Sequence, residues 1–268
     1  LQDHIVHFYH LSALDWVDIV SALDADPKKA ASIAQSISEW PGNTEAAFAA
    51  AKSRLKAFVD TGKLGIFGTG YWGHKAMRLS PEINLIAFAH YLIALDYQRK
   101  ASQAMAIVGG KDPHQQTLIV GGVALAVNVD NPATFNMERI AFLRQLLTEV
   151  KQFVDQVYIP DLLAIGGQYK EWFNYGAGVL NYLSAPEFPM DTRNSKFMDA
   201  GGVIMDGNLS SFRQITSWKD QDFREKVTEN TDFAWYDTDA SLHPYEGKSN
   251  PKYTETSPEG FSDTDKYT

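Results

Sequence analysis

Apolar residues recur at helical spacing from the start of the chain, where Ile5, Phe8, Leu11, Val17 and Val20 mark one face across Leu1–Leu23. No Ser, Thr, Asp or Asn cap with an approach loop precedes this stretch, so it reads as a segment that begins inside a helix. Asp26 followed by Pro27 predicts a capped second helix that fades by Ser38. "EWPGNT" predicts a loop, and a third helix runs from about Glu45 to Thr61, where Gly62 stops it. Ser80 and Pro81 open a strong helix to about Val108, closed by Gly109 and Gly110. At roughly 1.5 Å per residue this helix spans about 40 Å. "TLIVGGVALAVNV" is β-branched enough for a short strand or two. Asn136 caps a further helix that runs to Ile159, where Pro160 breaks or kinks it.

Beyond Gly166 the pattern changes to interleaved Tyr, Trp, Phe, Gly and Pro without a sustained period, with one strand around "GGVIMDG". The tail from Ser241 is polar and rich in turn residues. The expected organisation is a helical-bundle region over 1–165 and an irregular region with short strands over 166–268. The fold class is mainly α with small β elements, a long-helix bundle core plus a loop-rich region.

Composition narrows the partners. With 268 residues and 44% hydrophobic content the chain can bury a substantial core. A net charge of −9 argues against nucleic acid as a partner, because phosphate binding needs a basic face. No run of about 18 uninterrupted apolar residues is present to span a membrane. The absence of cysteine excludes disulfides, thiolate metal ligands and cysteine nucleophiles within these residues.

Three stretches carry candidate chemistry. His4, His7 and His10 lie three apart, and on an α-helix they drift by about 60° per step, too far for one ion to bind all three. They read as histidines hydrogen-bonded within a helical core. Asp3 shares a helix stripe with His7, Leu11 and Leu14, which makes it either a buried carboxylate needing a cationic partner or a solvated first-turn residue. In "GGKDPHQQTLIVGG", Lys111 lacks the spacing of a phosphate loop. There Gly109 and Gly110 end a helix, Pro113 stiffens the turn and His114 is displayed from it, as a functional residue or as part of a plain turn. "GTGYWGH" reads as an aromatic packing loop.

"DHIVHFYHLSALDWVDIVSALDADPKKA", "GKLGIFGTGYWGH", "AHYLIALDYQRKASQAMAIVGGKDPH", "VYIPDLLAIG" and "HPYEG" together resemble the large, catalytic subunit of a nickel–iron hydrogenase, above all the membrane-attached respiratory uptake type. The resemblance is collinear over nearly the whole chain. It implies heterolytic oxidation of H2 to protons and electrons at a nickel–iron centre with carbon monoxide and cyanide on the iron. It also implies a heterodimer with an iron–sulfur small subunit, which passes electrons to a membrane cytochrome or quinone-linked acceptor. The implied location is periplasmic, attached to the membrane through the partner.

In that family four cysteines hold the metals, in an R-x-C-G-x-C and a D-P-C-x-x-C motif, and neither motif is present here. The chain therefore reads as an internal segment, expected to be inactive alone, with no metal ligand within its span. A magnesium-type site likewise uses residues outside it. The resemblance aligns Asp3 with the aspartate above the bimetallic centre, paired with an arginine outside this span. It aligns Leu11 with a residue narrowing the gas channel, and His114 with the histidine near the first cluster of the small subunit. Gln2 stands where many relatives carry histidine, and no role is assigned to it. Two other readings stay open: a quinone-reactive subunit of the complex I type, which shares the fold without nickel, and a non-catalytic scaffold or interaction protein.

Overall fold

Residues 2–16 wind as one rod in three geometries: α1 (Gln2–Ile5), a π-helical stretch (Val6–Ser12) and α2 (Ala13–Trp16). The structure, a computed structural model, describes residues 1–62, 74–120, 122–175, 178–217 and 219–226, without the side chains of Leu14, Phe223 and Arg224. The helix expected to reach Leu23 ends at Trp16, and Val17 is extended (φ −94°, ψ 116°). The Asp18 carboxylate accounts for the stop. It accepts from the backbone N–H groups of Val20 and Ser21 at 3.1 and 3.0 Å, offering them an alternative to helical carbonyls. A 3₁₀ turn, Ser21–Asp24, comes next.

The capped helices form where their caps predict. In α3 (Pro27–Ile37) the Asp26 carboxylate accepts from the N–H groups of Lys28 and Lys29, and Pro27 sits at the first helical position. In α4 (Glu45–Asp60) the Thr44 hydroxyl accepts from Ala47 N–H, and Gly62 lies just beyond with φ 67°. Ser80 caps α5 (Pro81–Gly109), a 29-residue rod that Gly110 ends at φ 81°.

Between α5 and the next helix, β1 (Leu118–Ile119) and β2 (Gly122–Val123) pair as a short antiparallel ladder. Asn136 caps α6 (Met137–Phe153), accepting from Arg139 N–H. Pro160 does not break the helical path. A π turn (Val154–Tyr158) leads into α7 (Ile159–Gln168), which carries Pro160 in its first turn. Proline has no N–H for the carbonyl four residues back. That carbonyl, of Gln156, accepts instead from the Ser38 hydroxyl.

The described chain divides into two compact units, with the boundary between Trp172 and Phe173. In the first, small side chains bring helices close: Ala30, Ala31 and Ala34 of α3 pack with Phe48 and Leu55 of α4 and Leu85 of α5. A second cluster joins the N-terminal rod to α5, α6 and the π turn through Ile5, Tyr9, Ala94, Ala101, Phe153 and Val157.

In the second unit β3 (Tyr182–Ser184), β4 (Glu187–Pro189), β5 (Phe197–Asp199), β6 (Gly201–Ile204) and β7 (Arg213–Ile215) precede a short α8 (Gln221–Glu225). The strands form a three-stranded antiparallel sheet, β3–β6–β7, and a β4–β5 pair. Val203 lies opposite Leu183 and Arg213, and it is buried with Ile215. The strand expected at "GGVIMDG" is β6. The architecture is mainly α with small β elements, as the sequence predicts. The tail from Ser241, "HPYEG" and all of "GTGYWGH" except His74 lie outside the described residues.

Candidate functional site

Four buried side chains from four separate stretches join in one hydrogen-bonded chain. Asp161, in the first turn of α7, is 4% exposed, and its Oδ2 accepts from the Tyr9 hydroxyl at 2.7 Å. His90, midway along α5 and also 4% exposed, brings Nδ1 to 2.9 and 2.8 Å from the two oxygens of the same carboxylate. Its Nε2 meets Asn43 Oδ1 at 3.0 Å. Asn43 is fixed in turn by its main-chain carbonyl, which accepts from Gln35 Nε2 at 2.6 Å. Among the described residues, Asn43 Nδ2 is buried without a partner.

Burial dictates this convergence. A lone carboxylate in an apolar core is costly, and charge-assisted donors from Tyr9 and His90 offset that cost. Burial, and then the nearby Asp161 carboxylate, hold the Tyr9 phenol well above its ordinary value of 10.0, so it remains a donor at any working pH. A cleft of about 300 Å³ lies between α4 and α5, walled by His90, Trp40, Phe48, Arg54 and Ile93. Sequence reasoning missed this chain of residues. The available signal was a single polar residue inside an apolar run, His90 in "IAFAHYLIAL" and Asp161 in "VYIPDLLAIG".

The residues singled out from the sequence lie elsewhere. Asp3 and Leu11 are both exposed, so this chain alone does not give Asp3 the desolvated setting expected of it. Nor are the three histidines uniformly core residues. His4 and His7 are exposed, with His7 Nδ1 donating to the Asp3 carbonyl at 2.8 Å. His10 alone is partly buried. Its Nε2 donates to the Tyr91 carbonyl at 3.3 Å, and burial lowers its pKa from the ordinary 6.5. His114 is exposed at the turn after Gly110, with φ 62°.

The nickel–iron centre that the resemblance implies finds no ligand set in these residues. The chain has no cysteine, and among the described residues no three histidine, aspartate or glutamate side chains converge to hold an ion.

The family described as nickel-dependent hydrogenase matches residues 1–268. The chain is 47% identical over 265 residues to the Hydrogenase-2 large chain of Escherichia coli (strain K12), covering 99% of this chain and 46% of that protein. It is 43% identical over 264 residues to the uptake hydrogenase large subunit of Rhizobium leguminosarum bv. viciae, covering 94% and 43%. The Ni-Fe-Se hydrogenase of D. vulgaris Hildenborough in the reduced state shares the fold, with a TM-score of 0.59 and 25% identity over 95% of this chain and 40% of that one. The chain thus spans less than half the length of these relatives, and it belongs to the nickel-dependent hydrogenase family, on the large-subunit side.

Proposed function

We propose that this chain is the central segment of a nickel–iron hydrogenase large subunit. The complete subunit oxidises H2 heterolytically and passes the electrons to an iron–sulfur small subunit, and from there to a membrane cytochrome or quinone-linked acceptor on the periplasmic side. The observation that carries the reading is the family match along all 268 residues, with hydrogenase large chains as the relatives. The thiolates that hold the metals belong to residues outside this span. Among the described residues no helix is long and apolar enough to cross a membrane, in keeping with attachment through the partner.

In this reading Asp3 anchors an arginine from outside the span over the bimetallic centre, Leu11 narrows the gas path, and His114 faces the small subunit. The exposure of Asp3 and Leu11 on one stripe supports a surface made to be covered by the rest of the subunit. A fixed guanidinium stabilises charge that develops during turnover, and losing one such donor or its anchor typically costs a hundredfold to a thousandfold in rate.

Asp3→Ala in the complete, matured heterodimer tests the proposal. Nickel and iron content should be retained while hydrogen oxidation falls by roughly a hundredfold to a thousandfold. Near-normal oxidation in a metal-replete variant would overturn the role of Asp3.

A further inference from the structure

The N-terminal rod carries two stripes whose members are four residues apart. Ile5, Tyr9 and Ala13 are buried, whereas Asp3, His7 and Leu11 are exposed. In an α-helix four residues overshoot one turn by about 40°, so each stripe would fan over about 80°. Through Val6–Ser12 the rod is π-helical. Its i→i+5 turn holds more than four residues, so a spacing of four falls short of a whole turn there, where in an α turn it overshoots. Along the rod the α overshoot and the π shortfall oppose each other, which brings Asp3, His7 and Leu11 closer to one line than a continuous α-helix would.

A π turn is rare, and an uncommon backbone state persists where the surroundings over-determine it. Tyr9 supplies that constraint. Its ring packs against Phe8, Phe153 and Tyr158, with centroids 4.9, 5.8 and 5.9 Å away. Its hydroxyl donates to Asp161 at 2.7 Å, and His90 holds that carboxylate from the other side. Rewinding Val6–Ser12 as α-helix would displace the rod by one residue, a rotation of about 100° between its two ends. Tyr9 or Ile5 would then leave the core, and the buried carboxylate would lose a donor.

We infer that Tyr9, acting through Asp161 and His90, is a positioning residue that selects the π register and so holds Asp3, His7 and Leu11 on one line. The effect on turnover rests on the role proposed above for Asp3; the effect on helix register does not.

Tyr9→Phe in the complete heterodimer removes the hydroxyl and keeps the ring. Hydrogen–deuterium exchange of the backbone amides of 6–12 should accelerate on the order of tenfold or more, since the lost bond is one to a charged group. Metal content should be kept. Turnover by the metal-replete fraction should fall on the order of tenfold to a hundredfold, the usual consequence of displacing a catalytic group by about 1 Å. A hydroxyl with a merely structural role would lower the thermal midpoint but leave both exchange across 6–12 and turnover of the folded enzyme as in the parent, and that result overturns the inference. Should Tyr9→Phe fail to assemble, the same two measurements on Asp161→Leu, which removes both acceptor oxygens, decide it in the same way. Near-normal oxidation by Asp3→Ala would remove the role of Asp3, while the exchange rates of Tyr9→Phe would still decide the register.

Discussion

His90 on α5 grips both carboxylate oxygens of Asp161 on α7 through one ring nitrogen, at 2.9 and 2.8 Å, although the two residues are 71 positions apart. Both side chains are buried, so each is committed to the other. Removing one partner of such a pair leaves a buried charge uncompensated and typically costs about 3–5 kcal/mol, whereas replacing both by apolar groups of similar volume is often close to neutral. His90→Leu in the complete heterodimer should therefore lose about 3–5 kcal/mol in denaturant unfolding. His90→Leu with Asp161→Leu should lose less than the two single variants summed. A His90→Leu loss below about 1 kcal/mol would show that the pair does not hold α5 to α7.

Lys100 on α5 and Glu149 on α6 meet at 2.8 Å near the surface. The hydrogen bond from Lys100 is the main reason the Glu149 carboxyl lies below its ordinary 4.5, and the same bond raises the Lys100 ammonium above its ordinary 10.5. A depressed carboxyl pKa contributes stability that is complete above the unfolded value and is lost as pH falls through the folded one. Glu149→Gln should cost no more than about 1 kcal/mol at pH 7, because both groups are partly solvated. The difference between parent and variant should shrink below pH 4.5 and vanish in stronger acid. A gap that stays constant from pH 7 to pH 3 would contradict this origin.

His114 stands exposed at the turn after Gly110, with φ 62°. If it faces the small subunit, His114→Ala in the complete enzyme should slow electron delivery to the acceptor more than it slows hydrogen–deuterium exchange at the metals. Equal losses in the two assays, or no loss in either, would remove it from the interface.

Gly201 begins β6 where a side chain has no room, because a Cβ there would run into the Ser184 carbonyl oxygen and lie 2.7 Å from the Pro186 nitrogen. Both obstacles are backbone and cannot turn aside. Gly201→Ala should destabilise the β3–β6 pairing by about 1–3 kcal/mol, as overpacking does elsewhere. Amide exchange in Tyr182–Ser184 should rise in step. Gly62→Ala makes a useful contrast, since a Cβ there meets nothing within 4 Å and only the positive φ of 67° opposes it.

Much of the helical frame is written locally. Asp26 before Pro27, Ser80 before Pro81 and Asn136 each offer a side-chain oxygen to the N–H groups of the adjoining helix, and all three helices start there. Gly62 and Gly110 end α4 and α5 at positive φ for an equally local reason. Caps act over three or four residues, so reading the chain in short windows finds them. The family, too, is legible in sequence, because its motifs are collinear stretches that need no folding to be matched.

The tertiary structure alone decided the rest. Apolar residues at i, i+3 and i+4 fit an α-helix and a π-interrupted one equally well at the N-terminus. The choice falls on Val6–Ser12 because Tyr9 reaches a carboxylate 152 positions away. The same is true of Pro160, whose missing donor would ordinarily signal a break. The Ser38 hydroxyl, 118 positions from Gln156, takes over the carbonyl and the helix continues. Asp161 and His90 look like stray polar residues in apolar runs until the fold brings them together and excludes water from both. A hydrogen bond between distant residues has no periodicity along the chain, and its strength depends on a burial that exists only after the helices have packed.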